Sequence, residues 1–162
     1  MSQAQHATLA GTAAYRDRFK DQVDAGHFRL AENLWMSSIG LGTYLGDPDE
    51  RTDASYRDAV TRALELGCNV IDSAANYRFQ RSERNVGDAL AALFAAGKLA
   101  REEVVVTTKG GYIPFDNAMP LTQREFYEYV EQTFIVPGVC KLEDFVQGSH
   151  AMTPGYLDHQ LN

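Results

Sequence analysis

The stretch 69-NVIDSAANYRFQRSERNVGDAL-90 carries an apolar run into an aspartate, Asp72, sets a tyrosine five residues further on at Tyr77, and then opens a helix. Residues 68–73, with Val70 and Ile71 just before the carboxylate, read as a fully buried strand. Ser82 is placed as the N-cap of the following helix. Val86, Ala89, Leu90, Leu93 and Phe94 supply that helix with an apolar stripe, and Gly97 ends it.

Working outward, the same alternation repeats on both sides. Upstream, Tyr56, Ala59, Val60, Ala63 and Leu64 follow helical spacing, with Gly67 placed as the C′ residue. Before that helix, "SIGLGTYLG" (38–46) is a short strand with a glycine-rich end, and Asp47-Pro48 makes a turn. Downstream, Val104 to Lys109 is a third strand closed by Gly110-Gly111. Strand, helix, strand, helix, strand favours parallel pairing through right-handed crossovers.

The flanks are less regular. Tyr15, Phe19 and Val23 recur every four positions, as in a short amphipathic helix that decorates the rest, and Glu32-Asn33 sits at the tip of an expected hairpin. Residues 1–26 therefore read as a helical extension and 27–162 as the main domain. From 110 to 152 runs a connection far longer than is usual between such units, either a lid or an inserted subdomain. Thr122 and Glu125 form a capping box, after which Phe126, Tyr129, Val130 and Phe134 share one face, and Pro137-Gly138 ends the element. That stripe is expected to pack on the rim of the barrel that the alternation of strands and helices suggests. Thr153 and Pro154 are placed as N-cap and first residue of a last helix, with Leu157 and Leu161 on one side.

Composition narrows the class. With 162 residues, 44% hydrophobic and 23% charged, the chain suits one globular domain. Fifteen Lys and Arg against 22 Asp and Glu give a formal net charge of -7, which argues against a nucleic-acid partner. Cys68 and Cys140 stand in no metal or redox spacing, and there is neither an export signal nor a membrane span in the pattern, so a cytoplasmic location is expected. No metal-binding spacing is present, and oligomeric state is not encoded in any readable pattern.

Asp72 and Lys109 each close an apolar strand, and the two strands are consecutive. If they are neighbours, they lie roughly 4.8 Å apart, and the two charges meet at the carboxyl edge, where barrel and open α/β enzymes place their sites. Tyr77, in the loop above Asp72, reaches the same point. An ammonium beside a phenol favours the ionised form, and a carboxylate can hold that ammonium in place. Such a tyrosine can give a proton to a developing alkoxide or take one from an alcohol. The alternative is a structural ion pair with an ordinary loop aromatic beside it.

In order, "SSIGLGTYLG", "NVIDSAANY", "SERNVGDAL" and "VVVTTKGG" resemble the aldo-keto reductase superfamily over residues 27 to about 112. The resemblance implies the N-terminal part of a (β/α)8 TIM barrel, about three βα units, preceded by a short helix and hairpin. It further implies NADP(H) as cofactor and a small aldehyde or ketone as substrate. Asp72, Tyr77 and Lys109 correspond to three of the four catalytic residues, with Tyr77 as general acid, Lys109 tuning it and Asp72 orienting Lys109. Gly42, Thr43 and Tyr44, with Asp72, correspond to positions near the nicotinamide. The fourth residue, a histidine, has no counterpart, since its strand would begin after Asn162; His150 and His159 are not in its place. Arg78 stands where the family usually has Gly.

A barrel of this kind needs roughly 250 residues and eight strands. The 162-residue chain is therefore expected to be an incomplete barrel, inactive and poorly soluble by itself. Two other readings are a non-catalytic module that keeps the barrel motifs as scaffold, and a Rossmann-type site at Gly40, Gly42 and Gly46. The second conflicts with Leu45 at the third glycine's place and with the Asp47-Pro48 turn.

Overall fold

The computed structural model describes residues 6–161; the first five residues of the expected extension, and Asn162, lie outside the described residues. Helix α1 (Leu9–Phe19) leads to a hairpin of β1 (Phe28–Ala31) and β2 (Leu34–Ser37). Glu32 and Asn33, at φ of 49° and 59°, form its two-residue turn, the left-handed pair whose twist matches that of antiparallel strands.

Then come β3 (Leu41–Gly42), α2 (Glu50–Glu65), β4 (Val70–Asp72), α3 (Arg81–Ala95) and β5 (Val105–Thr107). The three strands form one parallel sheet in the order β3-β4-β5. Among the described residues the fold is mixed α/β, and no barrel closes.

Local chemistry fixes the ends of these elements. Asp49 caps α2 by accepting from Thr52 N at 2.7 Å, so the helix begins well before Tyr56, the first residue of the apolar spacing. Gly67 follows the C-cap of α2 at φ 92°, as its spacing predicts. Ser82 does not cap α3. The helix begins at Arg81 behind a left-handed Gln80, and the Ser82 hydroxyl instead donates to Thr43 O at 2.6 Å.

The main core lies between the sheet and the helices. Ile71 of β4 is fully buried against Val60 and Leu64 of α2 and Val86, Ala89, Leu90 and Leu93 of α3. Side chains alternate along a strand, so Val70 and Asp72 face the other way and are only partly buried. The strand expected to be buried throughout is thus packed on one face only.

Helix α1 is more than decoration. Tyr15 is fully buried in this core, and its hydroxyl donates to Leu64 O at 2.5 Å. Gly11 lets the helix lie against residues 101–103, since a Cβ there would come within 2.3 Å of Glu102 O.

Asn69 ties hairpin to sheet. Fully buried, it accepts from Ser37 N at 2.9 Å and donates to Trp35 O at 2.9 Å and Glu103 O at 3.2 Å, while its own N–H donates to Ser37 Oγ at 3.0 Å.

A second core forms beyond β5. Helix α4 (Gln123–Val130), with the expected Thr122–Glu125 capping box, continues into a wider turn over Glu131–Ile135. Its stripe packs chiefly within the connection itself. Val130 and Phe134 pack with Ile113, Cys140, Ala151 and Tyr156, and Phe126 and Tyr129 border that cluster.

Tyr156 belongs to α5 (Pro154–Leu161), where Pro154 is the first residue as expected. The Thr153 hydroxyl, however, is buried without a partner and does not cap, and Leu161 is exposed.

Replacing Asn69 by Leu leaves three buried backbone groups without their side-chain partner, which should destabilise the chain by about 3 kcal/mol. Urea unfolding measures this; a loss below about 1 kcal/mol would mean that the hairpin is held mainly by other contacts.

Candidate active site

The register of the parallel sheet assembles the site. Gly42 pairs with Asp72, and Asp72 with Thr107, so these residues end their strands at one edge. Lys109, two positions beyond Thr107, returns to the same face. Its Nζ lies 2.8 Å from both Asp72 carboxylate oxygens and donates to Ser73 O at 2.8 Å. The Thr107 hydroxyl adds a bond to Asp72 Oδ1 at 2.8 Å.

The bond from Lys109 is the main reason the Asp72 carboxyl is held below its ordinary pKa. For Lys109, partial burial opposes the charge, but the bond to Asp72 and a smaller contribution from Tyr77 outweigh it, and its pKa is raised. The side chains of the pair are 49% and 44% exposed, a setting in which an ion pair contributes only about 0–1 kcal/mol to stability.

Tyr77 completes the group. The Lys109 Nζ lies 4.7 Å from the centre of its ring, and Tyr44 meets the same ring edge-on at 5.0 Å between centroids. Thr43 is fully buried; its hydroxyl lies 3.0 Å from both Asp72 O and Ser73 Oγ, and its N–H donates to Asp72 O at 3.0 Å. Tyr44 is exposed, and a Cβ built on Gly42 would meet nothing within 4 Å. The backbone at Gly42 is thus open on the side where a side chain would stand.

After Tyr77 the chain makes a left-handed turn through Arg78, Phe79 and Gln80, at φ of 49°, 57° and 68°. Each non-glycine residue in this region costs roughly 1–2 kcal/mol, so the turn must be held by its surroundings. The Arg78 side chain, only 1% exposed, donates to Asp47 O at 2.8 and 3.1 Å and to Asp53 Oδ1 at 2.7 Å. Asp53 also accepts from Asn85 at 2.7 Å and from Arg81 Nε at 2.9 Å. Burial pushes this carboxyl upward, yet the bonds from Arg81, Asn85 and Arg78 outweigh that and hold its pKa at about 2.

Asp72, Tyr77, Lys109, Thr43, Tyr44 and Gly42 therefore all gather at the carboxyl edge. His150 does not: its backbone bridges Tyr112 and Val146 in the long connection. His159 is exposed on α5 with its ring against Phe134. An apolar cavity of about 260 Å³ opens beside the loop, lined by Asn76 and Phe79 together with Tyr112, Phe115, Met119 and Phe126 from that connection. Among the described residues no group of three or more His, Cys, Asp or Glu is placed to hold a metal ion, and no helix is long and apolar enough to cross a membrane.

The model of the Aldo/keto reductase family matches residues 38–134. The chain belongs to the aldo/keto reductase family.

Relatives of this reductase-family chain include the NADP-dependent D-sorbitol-6-phosphate dehydrogenase of Malus domestica, 36% identical over 80 residues, which are 49% of this chain and 23% of that protein. Aldose reductase C of Dictyostelium discoideum is 34% identical over 83 residues, 51% of this chain and 24% of its own. The NADH-specific methylglyoxal reductase of Escherichia coli is 38% identical over 86 residues, 50% of this chain and 24% of its own. The match thus spans about a quarter of the length of these relatives.

Within the family segment, sequence reasoning missed the supports of the site. Thr107 lies two residues before Lys109 on a strand, a spacing that puts both on one face and could have flagged it. Ser73 contributes a backbone oxygen and carries no such signal. Asp53 carries no signal in the sequence either, because its partners are Arg78 in the loop and Arg81 and Asn85 of α3.

Because its pKa is depressed from 3.8 to about 2, Asp53 stabilises the fold fully above the unfolded value. That contribution, about 2 kcal/mol, is lost as pH falls through the folded value. Unfolding midpoints between pH 5 and pH 2 should drop steeply for the natural chain and less steeply for Asp53→Asn; parallel curves would show that Asp53 is not the responsible group.

Proposed function

We propose that this chain forms the N-terminal βα units of a (β/α)8 carbonyl reductase that uses NADP(H), with Tyr77 as the proton donor. One observation carries the reading: an ammonium held bidentately by Asp72 lies over the ring of Tyr77 at the carboxyl edge of a parallel sheet. The β3-α2-β4-α3-β5 path would then be the opening of the barrel, with 27–162 its domain, 1–26 an extension and 110–152 a long connection beside the substrate.

The open backbone at Gly42 and the exposed ring of Tyr44 fit the nicotinamide end of the cofactor, and NADPH bound there would supply the hydride that reduces the carbonyl carbon. Thr43 would hold that loop from within, since its hydroxyl is already engaged. Tyr77 gives its hydroxyl proton to the carbonyl oxygen as negative charge develops there. Lys109 stabilises the phenolate left behind, and Asp72 and Ser73 fix the ammonium so that no reorganisation is needed during transfer. The substrate is a small aldehyde or ketone. Free, buried Cys68 and Cys140 suit a reducing cytoplasm.

The 162 residues alone are expected to show no turnover, because three parallel strands with one open face do not enclose a substrate. The test places residues 27–112 in the Escherichia coli methylglyoxal reductase in exchange for its own corresponding segment. The hybrid should reduce methylglyoxal with a nicotinamide cofactor, and Tyr77→Phe should lower kcat about 100-fold or more, the scale of general acid catalysis. An active hybrid indifferent to Tyr77→Phe would refute the acid assignment. An aldehyde-dependent turnover by the 162-residue chain as a monomer would refute the view that it needs further strands.

A further inference from the structure

We propose that Arg78 is a positioning residue that locks the loop carrying Tyr77 against the loop carrying Tyr44; this rests on Tyr77 acting as the acid.

The turn that follows Tyr77 is strained over three consecutive residues, none of them glycine. Left-handed backbone is normally adopted by single residues, so a run of this kind persists only where its surroundings hold it. The surroundings do so at each residue. Arg78 reaches Asp47 O and Asp53, Phe79 O accepts from Asn117 N at 3.2 Å, and Gln80 donates to Pro114 O at 2.9 Å and Phe115 O at 3.3 Å.

Of these anchors Arg78 acts closest to the site. Asp47 and Asp53 flank the start of α2, a few residues beyond Tyr44, and Asp53 is itself fixed by Arg81 and Asn85. The guanidinium therefore meets an anchor that is already rigid. Its planar fork engages carbonyl and carboxylate together, as the point charge of lysine does not. The result is a bond between the two loops whose tyrosine rings meet at 5.0 Å.

Arg78 also shows how a side chain can stand in a left-handed turn that glycine would enter without strain. Glycine enters this backbone region without cost but ties it to nothing. Arginine brings strain and its own anchor.

These features predict an ordered series in the active hybrid. Arg78→Met keeps the strain and loses the anchor, so kcat should fall about tenfold or more while KM for the aldehyde stays within about twofold. Arg78→Gly loses both and should fall in between, and Arg78→Lys should recover part of the loss. A side chain that only filled space would give Met at least as active as Gly with Lys no better than either, and that order would overturn the proposal.

Hydrogen exchange by mass spectrometry on the 162-residue chain gives a readout without turnover. Amides of residues 74–82 should exchange faster in Arg78→Met, with those of α3 beyond residue 86 unchanged; equal exchange at 74–82 would also overturn it. If exchange accelerates while Tyr77→Phe leaves the hybrid's turnover intact, the anchor is supported and the acid assignment fails.

Discussion

The parallel register of β4 against β5 is the constraint on which the site depends. Asp72 pairs with Thr107, and the two-residue period of a strand then carries Lys109 to the same face, within 2.8 Å of the carboxylate. A slip of one residue would turn Thr107 and Lys109 to the helix side and leave Asp72 without its partners. The register is itself specified by burial, since Ile71 and Val106 must face the helices for the core to form.

Around that register the chain uses polar anchors wherever loops must be held. Asn69 joins the hairpin to the sheet, Ser82 joins α3 to the Thr43 loop, and Arg78 joins the Tyr77 loop to the start of α2. All three are buried, so each bond is formed away from competing water and its loss leaves an unsatisfied group. Apolar packing supplies the two cores, while these bonds decide where the loops sit. The contribution of the long connection is twofold: it builds the second core around Phe134 and Tyr156, and it offers backbone oxygens to Gln80.

Much of this was legible in the residues. The apolar spacing in α2 and α3, the glycines that end them and the capping box at Thr122 depend on neighbours close in sequence, and they stand as read. So does the meeting of Asp72, Tyr77 and Lys109, because consecutive parallel strands bring their ends together. What the sequence hid depends on distant partners. Ser82 looks like a cap by type and spacing, but Thr43 O, 39 residues away, takes its hydroxyl. Tyr15 looked peripheral because its helix is short and mixed in polarity, while its burial is decided by the gap between α1 and α2. Arg78 stood out only as a departure from the resemblance, and the positions of Asp47 and Asp53 show it as the turn's support.

The proton-donor reading requires an ammonium whose charge is secured by Asp72. Side-chain nitrogen resonances of Lys109, followed by NMR through an alkaline titration, test this most directly. Lys109 should titrate above the ordinary lysine value of 10.5, and Asp72→Asn should bring it down. A Lys109 that titrates at the ordinary value, and does not respond to Asp72→Asn, would contradict it.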